Sequence, residues 1–176
     1  MIVVRSNTLP DVDQLLEDLV EQVSPLFEID PQPLIVGIET GGYWIAERLR
    51  ERLAPEAPLG KLNITFYRDD YTKIGLHPTV KPSSLPGDID GQAILLVDDV
   101  IHSGRTIRAA MNELFDYGRP ERILLATLID RGGRELPIQP DFVAETIELA
   151  PEEQIKLEGP QPLSLKLQRI EAHERD

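Results

Sequence analysis

Residues 94–106, Ile-Leu-Leu-Val-Asp-Asp-Val-Ile-His-Ser-Gly-Arg-Thr, constrain the fold more than any other stretch of the chain. Residues 93–97 form a short apolar run without alternation, the pattern of a central parallel strand covered on both faces. Asp98 and Asp99 are expected to end that strand abruptly. From Ile107 the apolar positions are Ile107, Ala110, Met111, Leu114 and Phe115, a spacing that predicts an amphipathic helix with one buried face. Gly118, with Pro120 just beyond, is expected to stop it. Strand, acid pair, hydroxyl-bearing loop and helix in unbroken order predict an α/β fold with a mainly parallel central sheet flanked by helices.

In such a sheet ligands bind outside the carboxyl ends of the strands, where helix N-termini offer free N–H groups and the positive end of a dipole. Ser103 and Thr106 supply hydroxyl donors, and Gly104 lets the backbone approach a ligand closely, so residues 102–106 suit a phosphate. Asp98 and Asp99 would repel that phosphate. They suit sugar hydroxyls, or help with a divalent cation. A lone Asp-Asp pair would more simply be a helix cap and a solvated acid, and it is the continuous order of the motif that favours a ligand.

Elsewhere, Val12, Leu15, Leu16, Leu19, Val20 and Val23 share one face of a helix over residues 11–23, with Asp11 and Gln14 placed to form a capping pair. A buried strand is predicted over residues 34–38. Glu-Thr-Gly-Gly at 39–42 then leads into a helix reaching Leu53. Thr40, Gly41 and Gly42 read as a second anion loop, although a Gly-Gly pair by itself most often marks a turn. Residues 62–67 alternate as a half-exposed strand, and residues 68–92 form a loop long enough to be functional. A buried strand over 123–129 ends at Asp130, Arg131, Gly132 and Gly133. Further strands are expected at 142–147 and 163–167, separated by an acidic connector containing prolines.

The 94–106 segment resembles the binding signature for 5-phosphoribosyl 1-diphosphate (PRPP) in the type I phosphoribosyltransferases. With residues 112–120, 128–138 and 66–70 added, the chain resembles the PyrR family of pyrimidine operon regulators and uracil phosphoribosyltransferases. The resemblance covers nearly everything after the first thirty residues. It implies the type I fold with a small hood and a flexible loop, and transfer of the phosphoribosyl group from PRPP to uracil, giving UMP and pyrophosphate, with Mg²⁺ bound mainly through PRPP. The roles it implies are PRPP binding by Val97, Asp98, Asp99, His102, Ser103, Gly104, Arg105 and Thr106, and pyrophosphate binding by Thr40, Gly41 and Gly42. It also implies a closing loop with Arg68, Asp69, Asp70 and Lys73, and base binding by Ile129, Asp130 and Arg131. Asp98, Asp99 and Arg68 are the implied catalytic residues, and no residue is assigned as a metal ligand. Many PyrR proteins have an arginine where this chain has Gly41, so a cation beside the pyrophosphate is missing here. The alternatives are a PRPP or nucleotide sensor with little turnover, and an RNA-binding attenuator of pyrimidine genes. Gly133, Gln139 and Glu145 stand where that RNA-binding face is usually basic or histidine, while Arg134 remains. Family members associate as homodimers or higher assemblies.

At 176 residues with 41% hydrophobic content, one domain spanning residues 1–176 is expected. The sequence holds no long apolar span and no basic start leading into an apolar segment, which predicts a cytoplasmic protein. Zero cysteines exclude disulfides, thiolate metal sites and a cysteine nucleophile. A net charge of −13 disfavours a surface built for nucleic acid, whose affinity comes largely from Lys and Arg on phosphates. His77, His102 and His173 do not stand at metal-ligand or triad spacing.

Overall fold

A computed structural model describes residues 8–64 and 82–170. Five strands, β1 (Leu34–Ile38), β2 (Leu59–Leu62), β3 (Ala93–Ile101), β4 (Arg122–Asp130) and β5 (Phe142–Thr146), form one sheet in the order β2-β1-β3-β4-β5. Every pairing in it is parallel. Strand order reverses between β1 and β3, and a crevice opens at the carboxyl ends of strands at such a point.

One face of the sheet is covered by α1 (Val12–Val23) and α2 (Gly41–Leu53), the other by α3 (Arg105–Tyr117). Helix α1 buries Val12, Leu15, Leu16, Leu19 and Val23 against Ile35, Leu95 and Ala126, and each such side chain contributes about 1.5–3 kcal/mol. Asp11 caps it by accepting from the Gln14 amide at 3.1 Å, but the Gln14 side chain donates onward to Asp18. Half of the expected capping pair therefore forms. Helix α3 packs Ile107, Ala110 and Leu114 against Ile94 and Leu96. Phe115, expected on that buried face, is 47% exposed, because the contact surface ends with Leu114.

Strands 34–38 and 142–146 fall where the apolar patterns predict them, and three boundaries need correction. The acid pair does not end β3. Asp98 registers with Thr127 and Ile101 with Asp130, so the ladder to β4 carries the strand two residues past the aspartates despite their low strand propensity. The expected 62–67 strand is represented by β2 at Leu59–Leu62, and residues 65–67 lie outside the described residues. The described end of the long 68–92 loop is packed: Ser84 bridges Lys61 and Ile89 is buried.

The acidic connector after β5 contains a strand missed in the sequence. β6 (Glu153–Glu158) pairs antiparallel with β7 (Ser164–Arg169), and Ile155 and Leu157 anchor the hairpin in the core cluster of α1 and α2. Glu152, Glu153, Lys156 and Glu158, between Pro151 and Pro160, gave the segment its look of a solvated linker.

Candidate active site

Thr40 caps α2 through its backbone, its carbonyl accepting from the Trp44 amide at 3.3 Å, and its hydroxyl makes no capping bond. The preceding Glu39–Thr40 peptide is cis. Gly41 and Gly42 let this helix start seat directly on the end of β3. A Cβ on Gly42 would stand 2.5 Å from the Val97 carbonyl oxygen, and one on Gly41 would overlap the Asp99 carboxylate. A side chain at position 41 would therefore require the Asp99 carboxylate to move.

Asp98 is 5% exposed and Asp99 half-buried. Each bonds the next amide along the strand: Asp98 Oδ1 accepts from Asp99 N at 3.0 Å and Asp99 Oδ1 from Val100 N at 2.9 Å. These bonds fix the carboxylates against the backbone as preset hydrogen-bond acceptors.

Beyond β3 the chain turns at Gly104, whose φ of 91° lies in the left-handed region, and α3 begins. Its first turn, with His102, Ser103, Gly104 and Thr106, walls a small recess of about 60 Å³ that Asp98 also borders. Free amides and the dipole of a thirteen-residue helix converge there, the arrangement that binds an anion.

That recess is tied to the end of β4. His102 Nδ1 donates to the Gly132 carbonyl at 2.8 Å, and the Ser103 carbonyl accepts from Glu135 N and Leu136 N at 2.9 and 3.1 Å. Arg134 is the main tie. Its guanidinium donates to both Asp130 carboxylate oxygens (3.0 and 2.6 Å), to the carbonyls of His102 (2.8 Å) and Ile138 (2.7 Å), and to Gln139 Oε1 (3.0 Å). The Arg134 and Asp130 side chains are only 13% and 14% exposed. Burial alone would raise the Asp130 carboxyl, but the Arg134 hydrogen bonds and the Gly132 amide outweigh it and hold the pKa below the usual carboxylate value.

Between the helix starts and the hairpin lies a cavity of about 870 Å³. Thr40, Gly41, Asp98, Asp99, His102 and Arg131 all line it, so the structure brings together six expected site residues from three loops. Gly42 stands behind them, and Ser103, Gly104 and Thr106 line the adjoining recess. Other expected residues stand apart. Val97 and Ile129 are fully buried, Arg105 pairs with Glu135 at 2.6 Å, and the Asp130 carboxylate is taken up by Arg134. Arg68, Asp69, Asp70 and Lys73 lie outside the described residues, as do His77 and His173.

The sequence reading missed the roof and one wall. Gln154, Lys156 and Gln168 of the hairpin, Trp44 of α2 and Glu39 also line the cavity. Arg131 joins roof to floor, its guanidinium donating to the Glu153 carbonyl at 3.0 Å; burial lowers its pKa from the usual arginine value. The period-two alternation of Ile155 with Leu157 and of Leu165 with Leu167 was the available signal for this roof.

The family model described as "Phosphoribosyl transferase domain" matches residues 6–159. The bifunctional protein PyrR of Pseudomonas savastanoi pv. phaseolicola is 51% identical over 167 residues, 93% of this chain and 97% of that relative. The protein of the same name from Nitrosococcus oceani is 54% identical over 145 residues, 81% of this chain and 82% of the relative. Among solved structures, a hypoxanthine-guanine phosphoribosyltransferase from Bacillus anthracis has a TM-score of 0.63 at 20% identity, covering 82% of this chain and 86% of its own. A purine phosphoribosyltransferase from Pyrococcus horikoshii has a TM-score of 0.56 at 24% identity, with 78% and 83% covered. These last two likenesses concern the fold.

Proposed function

The chain belongs to the phosphoribosyltransferase family, among the PyrR proteins, and on that premise we propose that it transfers the 5-phosphoribosyl group of PRPP to N1 of uracil. One observation carries the reading: Asp98 and Asp99 line the same cavity as the N-terminus of α2, and Asp98 also borders the adjoining recess at the N-terminus of α3. A doubly anionic sugar needs two anion sites with hydroxyl acceptors between them.

In this reading the 5′-phosphate occupies the recess at residues 102–106, and the ribose hydroxyls donate to Asp98 and Asp99. The pyrophosphate lies toward Thr40, Gly41 and Gly42. As the C1′–O bond to pyrophosphate breaks and the bond from uracil N1 forms, positive charge grows on the ribose, and the N1 proton is given up to the departing pyrophosphate. The fixed carboxylates stabilise that charge more than the neutral ground state, which is what lowers a barrier. Uracil sits under the hairpin near Arg131, against backbone groups of residues 129–131. Arg68, Asp69, Asp70 and Lys73 are proposed to complete the site by excluding water, which competes with uracil for the activated sugar. The residues at 1–176 act as one unit.

Among the described residues no three acids or histidines cluster to hold a metal. The donor set instead fits Mg²⁺ arriving with PRPP, coordinated by its oxygens and water with Asp98 or Asp99 nearby, where it would share the charge of the leaving pyrophosphate.

The test is to incubate the protein with uracil, PRPP and Mg²⁺ and separate the nucleotides. UMP should form, and Asp98→Asn or Asp99→Asn should lower kcat/KM by about 100-fold or more. Absence of UMP from the unmodified protein, with PRPP still bound, would favour a sensor instead.

A further inference from the structure

Beside the pyrophosphate loop stands an ion pair without a part in the scheme above. Glu39 immediately precedes Thr40 and lines the cavity, with its side chain 20% exposed. Lys61 of β2 places its ammonium 3.3 Å from Glu39 Oε1 and 4.3 Å from the centre of the Tyr43 ring, in the first turn of α2. The backbone holds both ends, since Lys61 registers with Gly37 and the Glu39 amide donates to the Leu62 carbonyl at 2.8 Å.

A carboxylate on the wall of a pyrophosphate site opposes the ligand, and Gly41 brings no cation to offset it. An ammonium restrained by an aromatic face and a carboxylate can offset it, because only about a third of the Lys61 side chain and a fifth of the Glu39 side chain are open to screening water. We propose that Lys61 is a positioning residue of the pyrophosphate loop: it neutralises Glu39 and so lets residues 40–42 accept the pyrophosphate of PRPP. This rests on the phosphoribosyl-transfer reading above.

Calorimetric titration of the full chain with PRPP, pyrophosphate and UMP, Mg²⁺ present throughout, tests it. Lys61→Gln should weaken PRPP and pyrophosphate about fivefold, leaving Glu39 uncompensated. UMP, which has no pyrophosphate, should bind this variant as it binds the unmodified protein. Glu39→Gln should not weaken PRPP, and Glu39→Gln combined with Lys61→Gln should return it to within about twofold of the unmodified protein. Unchanged PRPP affinity in Lys61→Gln, an equal loss for UMP, or a double variant as weak as the single one overturns the inference. Loss of PRPP binding in Glu39→Gln does so too, since the carboxylate would then itself serve the ligand. If the unmodified protein binds no PRPP, the transferase reading fails, and this inference with it.

Discussion

At position 41 a Cβ would meet the Asp99 carboxylate in its present place, so a larger residue there displaces that carboxylate. Gly41→Ala should therefore push Asp99 or the α2 N-terminus out of place, while touching little of the core. Steady-state kinetics should show kcat/KM for PRPP lowered about tenfold or more with the thermal midpoint nearly unchanged. At Asp130 the effect should run the other way, on stability. Asp130→Asn leaves Arg134 with a neutral partner in a mostly buried place, and should cost about 2 kcal/mol in urea unfolding. Because Arg134 and Gly132 depress the Asp130 pKa in the folded state, its contribution is present above the unfolded value of about 4 and is lost as pH falls through the lower folded value. The gap in stability between the unmodified protein and Asp130→Asn should thus be full at neutral pH and close in acid below about pH 4, and a constant gap down to pH 2 would contradict the sign.

Among the elements, strands and helices that carry a one-sided or continuous apolar pattern were legible in the sequence. β1, β5, α1 and α2 lie where their patterns place them because burial and periodicity agree. β3 ran on past its expected end because a ladder to β4 was available to it, and no local pattern reports a neighbour's register. The phosphate recess was legible for a related reason, being one contiguous loop. The cavity roof was not, since its residues are polar on the side facing the cavity and its anchors, Ile155 and Leu157, are only two. Those anchors set a test at this scale. Ile155→Ala should cost roughly 2–5 kcal/mol locally, loosening the hairpin over the cavity. Hydrogen exchange should quicken in residues 153–169 while the five-stranded sheet keeps its protection, and KM for uracil should rise more than KM for PRPP.

For the whole molecule, the charge balance and the fate of Arg134 point the same way. The net charge is −13, and the arginine that remains of the basic face expected for RNA is held by five hydrogen bonds inside the fold. Non-specific RNA affinity depends on cations free to displace counterions. Gel-shift titration with pyrimidine leader RNA at about 0.15 M salt should accordingly show no complex at micromolar protein, and a salt-sensitive shift there would reveal a cationic surface elsewhere on the assembled protein. The described residues contain no helix long and apolar enough to cross a membrane.

The Arg134 brace also makes one instrument of two pockets. The Arg134 guanidinium joins the His102 carbonyl at the α3 recess to the Asp130 carboxylate at the end of β4, so in the proposed reading an anion in the recess and a base near residues 129–131 would share one rigid support. Thermodynamic reciprocity then requires that each occupant help the other by the same factor. Uracil should bind weakly alone and more tightly once ribose 5-phosphate is present, and Arg134→Lys should erase that synergy, because a single ammonium cannot span both carbonyls and the carboxylate at once.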